Sequence, residues 1–424
     1  MKEDFLHFLW RTKRFEPSHL QTTQGETLQI IDFGTYNTNA GPDFLNAKIR
    51  IGNTLWAGNV EMHLRTSEWQ NHGHSQDKHY DRAVILHVVW EENTQIERTN
   101  GALIPCLTLK NIISSKLVTA YLALQAKENW IPCEKLFPTV SELTKEMWLE
   151  RLTIERLERK SEEIEQLLVA TKNHWEETFY HFLARSFGSK VNAVAFDALA
   201  SAVPMSILGK HKNSLSQIES LVFGQAGFLA DEWKESYPAM LKKEYQFLQK
   251  KYTLQPIEKE MWKFLRLRPA NFPTIRLAQF ASLIHQSSHL FSKILVAQTV
   301  KEVEKLFQTE VSDYWQTHYI FEKASPPRSK KFGKEAIKVL IINVIIPFVF
   351  LYGKMRKEED LQNRALVWLE MLEPESNTII AEWKKLGLEA THAGRTQALL
   401  QLKNEYCTPH RCLHCAIGNA ILQK

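Results

Sequence analysis

Apolar positions in the first hundred residues fall into short runs with a two-residue period. Residues 27–33, TLQIIDF, alternate and are rich in β-branched side chains, which predicts a strand. Two further strand-like runs, 44–51 and 55–63, flank Gly52-Asn53-Thr54, the turn chemistry of a hairpin. Residues 83–90, AVILHVVW, form an unbroken apolar run that predicts a strand covered on both faces, and 102–109 is expected to complete the sheet. Ahead of these, residues 4–15 carry Phe5, Leu6, Phe8, Leu9 and Trp10 on one short amphipathic helix.

The period changes near residue 139. Thr139 with Glu142 predicts a capping box, and Trp148, Leu149, Leu152, Leu157, Ile164, Leu167 and Leu168 follow at helical spacings. From there to about residue 398 the chain reads as helices, broken at points such as Phe187-Gly188, Arg268-Pro269 and Glu373-Pro374. The apolar run 339–353 contains Asn343 and Pro347 and falls short of the ~20 residues that a bilayer requires. It is expected to be a buried helix, kinked near Pro347. The organisation that follows is an α/β (or α+β) sheet domain over 1–135 and an all-α domain over 136–424.

Composition narrows the picture modestly. The chain has 424 residues, 44% hydrophobic and 24% charged, which excludes a disordered or collagen-like protein. Lys and Arg number 53 against 48 Asp and Glu, a net +5 with room for one local basic surface. Residues 1–5 lack a basic stretch leading into an apolar run, so a cytoplasmic protein without a membrane segment is expected. Phosphate-loop, dinucleotide-binding and serine-elbow motifs do not occur, which weighs against nucleotide, dinucleotide and serine-hydrolase chemistry. No sequence feature sets an oligomeric state.

Four groups of residues carry candidate chemistry. The first is Gly41-Pro42-Asp43 with Glu61-Met62-His63 eighteen residues on. Glu61 and His63 share a strand face, and an Asp, a Glu and a base so grouped suit Mg²⁺ or Mn²⁺ and an activated water. The group resembles the PD-(D/E)xK nuclease motif, in which Pro-Asp precedes a hairpin bearing Glu-x-Lys. That resemblance implies a restriction-endonuclease-like domain, catalytic roles for Asp43, Glu61 and His63, and a nucleic-acid substrate. His63 stands where that family carries Lys, so two alternatives stay open: a nuclease fold that binds without turnover, and a His-cluster metal hydrolase of a small substrate.

The second group is His72, His74 and Asp77, with His87 in the apolar strand; imidazoles and a carboxylate in this pattern suit a transition metal or phosphate contact. A polar surface loop and a satisfied core histidine are the plainer readings. The third is Cys407, Cys412 and Cys415, three thiols within nine residues, with Cys133, His410 or His414 as a fourth ligand for Zn²⁺ or an iron–sulfur cluster. Cys106 lies within an apolar strand and reads as an inert thiol. The fourth, Arg266, Arg268 and Arg276 among Trp262, Phe264 and Phe272, suits nucleic-acid backbone and base stacking, although pairing with acids of neighbouring helices is the favoured reading.

Taken together, the segments Ala40–Phe44, Gly58–His63, His72-Gly73-His74, Ile131-Pro132-Cys133, Arg266–Pro273 and the terminal cysteines resemble an uncharacterised bacterial family, domain of unknown function 2851. That family has no settled activity, so the likeness bears on identity and leaves mechanism to the residues.

Overall fold

A computed structural model describes residues 1–71, 83–126 and 129–423. It divides into two compact units, 1–148 with 402–424, and 149–401. This differs from the expected split at 135: the last 23 residues, with their three cysteines, return to the sheet unit instead of closing the helical one.

The first unit opens on helix α1 (Glu3–Arg11), whose Phe5, Leu6, Phe8, Leu9 and Trp10 are fully buried. Nine residues are too few to hold a helix in water. Packing holds it: each buried side chain is worth about 1.5–3 kcal/mol. Phe5 stacks on Tyr121 at 3.9 Å, and the Trp10 indole donates to the Phe33 carbonyl. The sheet strands are β1 (Leu20–Gln21), β2 (Thr27–Asp32), β3 (Thr35–Tyr36), β4 (Phe44–Ile51), β5 (Thr54–Arg65), β6 (Val84–Glu91) and β7 (Cys106–Thr108). Their order is β1-β2-β4-β5-β6-β7, with β3 beside β4.

Strands β2, β4 and β5 are antiparallel, and the β4–β5 hairpin turns at Gly52-Asn53 as its residues require. β5 and β6 are parallel, with helix α2 (Glu68–Asn71) in the connection between them. Gly58 permits this pairing: a Cβ there would sit 2.4 Å from the Ile85 side chain and 2.7 Å from the Ala83 carbonyl. β7 is shorter than the expected 102–109 strand, because only Cys106–Thr108 find ladder partners on β6. Helix α3 (Ser115–Gln125) follows.

Helix α4 (Glu142–Ala170) is the long helix expected from the spacing. Its start is set by Ser141, whose hydroxyl accepts the Thr144 amide, and not by Thr139, which lies in a 3-10 turn. The second unit is almost wholly helical; a short ribbon, His318–Ile320 with Lys323–Ala324, is its sheet element among the described residues. Its core is aromatic, with Trp175, Phe179, Phe182 and Phe291 packed around Phe348.

The 339–353 run lies within Lys334–Arg356, a continuous helical stretch long and apolar enough to cross a membrane, although 72% of its most apolar window is buried in the protein. The expected kink takes another form. A π-helical segment, Ile341–Ile345, runs without a break into the helix Ile346–Arg356, and Pro347, which has no N–H to give, sits where the bonding changes from π to α.

Candidate functional site

Two histidine–acid strings meet the end of the β4–β5 hairpin. Asp43 stands just ahead of β4, where the ladder has stopped, and its Oδ2 accepts the Met62 amide at 2.8 Å. The carboxylate thereby takes the place of a ladder carbonyl and is fixed one peptide from Glu61. Its Oδ1 lies 3.3 Å from His7 Nε2, and the other ring nitrogen of His7 is 3.4 Å from the Tyr36 hydroxyl. Burial opposes charge on His7, but the hydrogen bond and charge of Asp43, with Glu3 and Asp4 nearby, carry its pKa above the usual histidine value.

Glu61, His63 and His87 form the second string. The two-residue period puts Glu61 and His63 on one face of β5, and parallel register sets His87 directly beside Glu61. His63 Nδ1 lies 2.9 Å from His87 Nε2, while His63 Nε2 lies 3.8 Å from Glu61 Oε1. All three are buried, with Glu61 5%, His63 2% and His87 1% exposed. An ionised carboxylate taken out of water at such a depth costs several kcal/mol unless partners answer it, and at 3.8 Å His63 is within ion-pair but not hydrogen-bond range. Trp69 of α2 covers this face, its ring 5.1 Å from His87 and 6.4 Å from His63.

The sequence pointed to Asp43, Glu61, His63 and His87, but not to His7, Tyr36 or Trp69. His7 lies on the polar side of an amphipathic helix, where a histidine carries no signal until that helix is docked. His72, His74 and Asp77 lie outside the described residues.

The cysteines are gathered elsewhere in the same unit. Cys133, Cys407, Cys412 and Cys415 line one small cavity, walled also by Pro132, Tyr406 and Gly418. All four are buried free thiols. Burial and the neighbouring sulfurs push Cys133 up to about 12; burial likewise raises Cys412 to about 12 and lifts Cys407 and Cys415. Cys415 also accepts backbone N–H groups from Ile417 and Gly418. Gly418 is required for the approach, since a Cβ would meet the Cys412 carbonyl at 2.2 Å. His410 and His414, the alternative fourth ligands, instead line a polar pocket with Lys2, Asp4 and Arg411. Cys106 is on β7, apart from this cavity. Among the described residues no group of three or more His, Cys, Asp or Glu is placed so that it could hold a metal ion without moving.

In the second unit Arg266 and Arg268 are exposed, Arg266 with a left-handed backbone. Arg276 is partly buried, but its partners are not acids. It donates to Asn271 and Gln279 and lies 5.3 Å from the centre of the Phe332 ring. The expected pairing with acids is therefore replaced by amides and an aromatic face, and desolvation lowers the Arg276 pKa.

Fold and site together define a mixed-sheet unit carrying acid–histidine strings and a buried thiol cluster, joined in one chain to a helical unit. Residues 3–378 match the family described as "Protein of unknown function (DUF2851)", and the chain belongs to that family. The match ends before Cys407, so three of the clustered cysteines lie outside it. No curated protein and no solved structure matches the chain.

Proposed function

We infer that the sheet unit is a metal-dependent phosphodiesterase acting on nucleic acid, with Asp43 and Glu61 as its cation ligands. The observation that carries the reading is the hydrogen bond from the Met62 amide to Asp43, which holds one carboxylate alongside the strand that bears the other. The order helix, three antiparallel strands, helix and parallel strand is consistent with a restriction-endonuclease-like core.

Oxygen ligands of this kind suit Mg²⁺ or Mn²⁺, which when bound polarises the phosphate and lowers the pKa of water. The protein's own part is to place and move protons. His7 bears on Asp43 from α1, and His63 stands between Glu61 and His87, so a proton gained at Nε2 is answered by Glu61 while Nδ1 faces His87. Arg266 and Arg268, both exposed, are assigned phosphate contacts.

The test is cleavage of end-labelled DNA and RNA with Mg²⁺ or Mn²⁺, comparing wild type with Asp43→Asn and Glu61→Gln. Each variant should lose roughly 100-fold or more in rate with its circular dichroism unchanged. His63→Lys, which restores the residue of the resembled motif, should keep measurable activity. Equal rates in wild type and Asp43→Asn would refute the assignment. Binding without cleavage would favour the scaffold reading, which the burial of Glu61 and His63 supports.

A further inference from the structure

We propose that Cys133, Cys407, Cys412 and Cys415 form a four-thiolate site for a soft metal, independent of the phosphodiesterase reading. Three of these residues come from one nine-residue stretch, but the fourth arrives from 274 positions earlier, and all four line the same cavity. Chance burial of cysteines does not require this convergence. Cys106, buried just as deeply in the same unit, stays out of it.

The backbone around the cavity is built for close sulfur approach. Cys407 ends the π-helical segment Leu402–Cys407, and the chain then reverses through His410, which has φ +56°. Cys412 opens a 3-10 turn and Cys415 precedes the helix Ala416–Leu422, so the Cys-x-x-Cys pair folds back on itself with the Cys415 amide bonded to the Cys412 carbonyl. Backbone N–H groups of Ile417 and Gly418 are directed at the Cys415 sulfur. The other walls, from Pro132, Tyr406 and Gly418, bring no charged side chain that would compete with sulfur.

Four thiolates with no carboxylate select a thiophilic metal, either a single tetrahedral Zn²⁺ or an iron–sulfur cluster, over Mg²⁺ or Ca²⁺. The four thiols are free of disulfides, and Cys412 donates to the Leu124 carbonyl at 3.9 Å. Loading turns the four sulfurs inward, forms four metal–sulfur bonds and releases four protons to solvent, with no change in oxidation state for Zn²⁺. For a cluster, preformed iron and sulfide are delivered, and the four thiol protons again leave. The result is a staple joining residue 133 to the chain end.

The experiment is metal analysis and visible absorption of the full chain purified without oxygen, followed by titration of chelator-stripped protein with Co²⁺. About one equivalent of zinc without colour identifies a single ion, and about four irons with matching sulfide and a brown chromophore identify a cluster. Either supports the site, as do tetrahedral Co²⁺ bands in the stripped protein. Cys407→Ser and Cys415→Ser should each abolish stoichiometric loading, whereas Cys106→Ser should leave it intact. Wild type that purifies without metal and gives no Co²⁺ bands overturns the proposal. Equal loss of metal on Cys106→Ser overturns the assignment of ligands. Nuclease assays play no part in these readouts, so the two proposals fail separately.

Discussion

The two units treat buried polar groups differently. In the sheet unit such groups come from distant segments and face one another: His7 reaches Asp43, His63 lies between Glu61 and His87, and Cys133 meets three cysteines of the chain end. In the helical unit several are satisfied in small closed sets within an aromatic core. Lys330 illustrates this, its ammonium donating to the carbonyls of Trp315, Gln316 and His318 with no acid among them. Glu219 is another case: it accepts the Ser312 hydroxyl, which also bonds Tyr237, and Tyr237 in turn accepts the Trp315 indole. Closed sets rigidify a core, whereas facing titratable groups retain capacity for a proton or a cation. The cation ligands and the thiol site proposed above both belong to the sheet unit.

The comparison can be broken at three points. The largest effect should come from Phe348→Ala, which removes the ring at the centre of the aromatic cluster. A loss of about 3–5 kcal/mol in denaturant unfolding is expected, and a loss below about 1 kcal/mol would mean that the core does not depend on this packing. Next comes Glu219, whose pKa burial pushes up to about 7 against the lowering hydrogen bonds of Ser312 and Tyr237. Its folded value exceeds the ordinary 4.5, so the folded state holds the proton more tightly. Stability from this group is complete below that ordinary value and is lost as pH rises toward 7, by a few kcal/mol at most. Glu219→Gln should flatten that slope in unfolding curves; an unchanged slope would assign the effect elsewhere.

The smallest effect concerns His7. Its raised pKa means that the His7–Asp43 pair contributes fully below the ordinary histidine value and fades as pH climbs through the raised one. The contribution should be under about 1 kcal/mol and should vanish in His7→Gln. Should that substitution alter cleavage far more than stability, the string beside Asp43 serves chemistry instead of packing, which would sharpen the contrast between the units.

Much of this architecture was legible along the chain. The alternation of 27–33, the Gly52-Asn53 turn and the apolar run of β6 each report a local preference, and each appears as a strand or hairpin. The long helix from 142 was equally plain, although its cap lies at Ser141 because that hydroxyl, not Thr139, reaches the free amide. Of the site, Asp43, Glu61 and His63 stood out because turn chemistry and strand period place them. His7 and Tyr36 did not, since their meeting depends on how α1 docks against β3 and β4. The form of the interruption in 339–353 was hidden as well: Pro347 marks one, but nothing in the sequence says that it is met by a π-helical segment, Ile341–Ile345.

The order of strands and helices, the shared face of Glu61 and His63, and the thiol-rich chain end were set by the sequence through preferences that act over a few residues. Only tertiary structure decided that residues 402–424 rejoin the sheet unit, that Cys133 rather than His410 or His414 completes the thiol cluster, and that Asp43 takes the Met62 amide. Those outcomes depend on contacts between segments tens to hundreds of residues apart, and periodicity along the chain carries no record of which surfaces will meet.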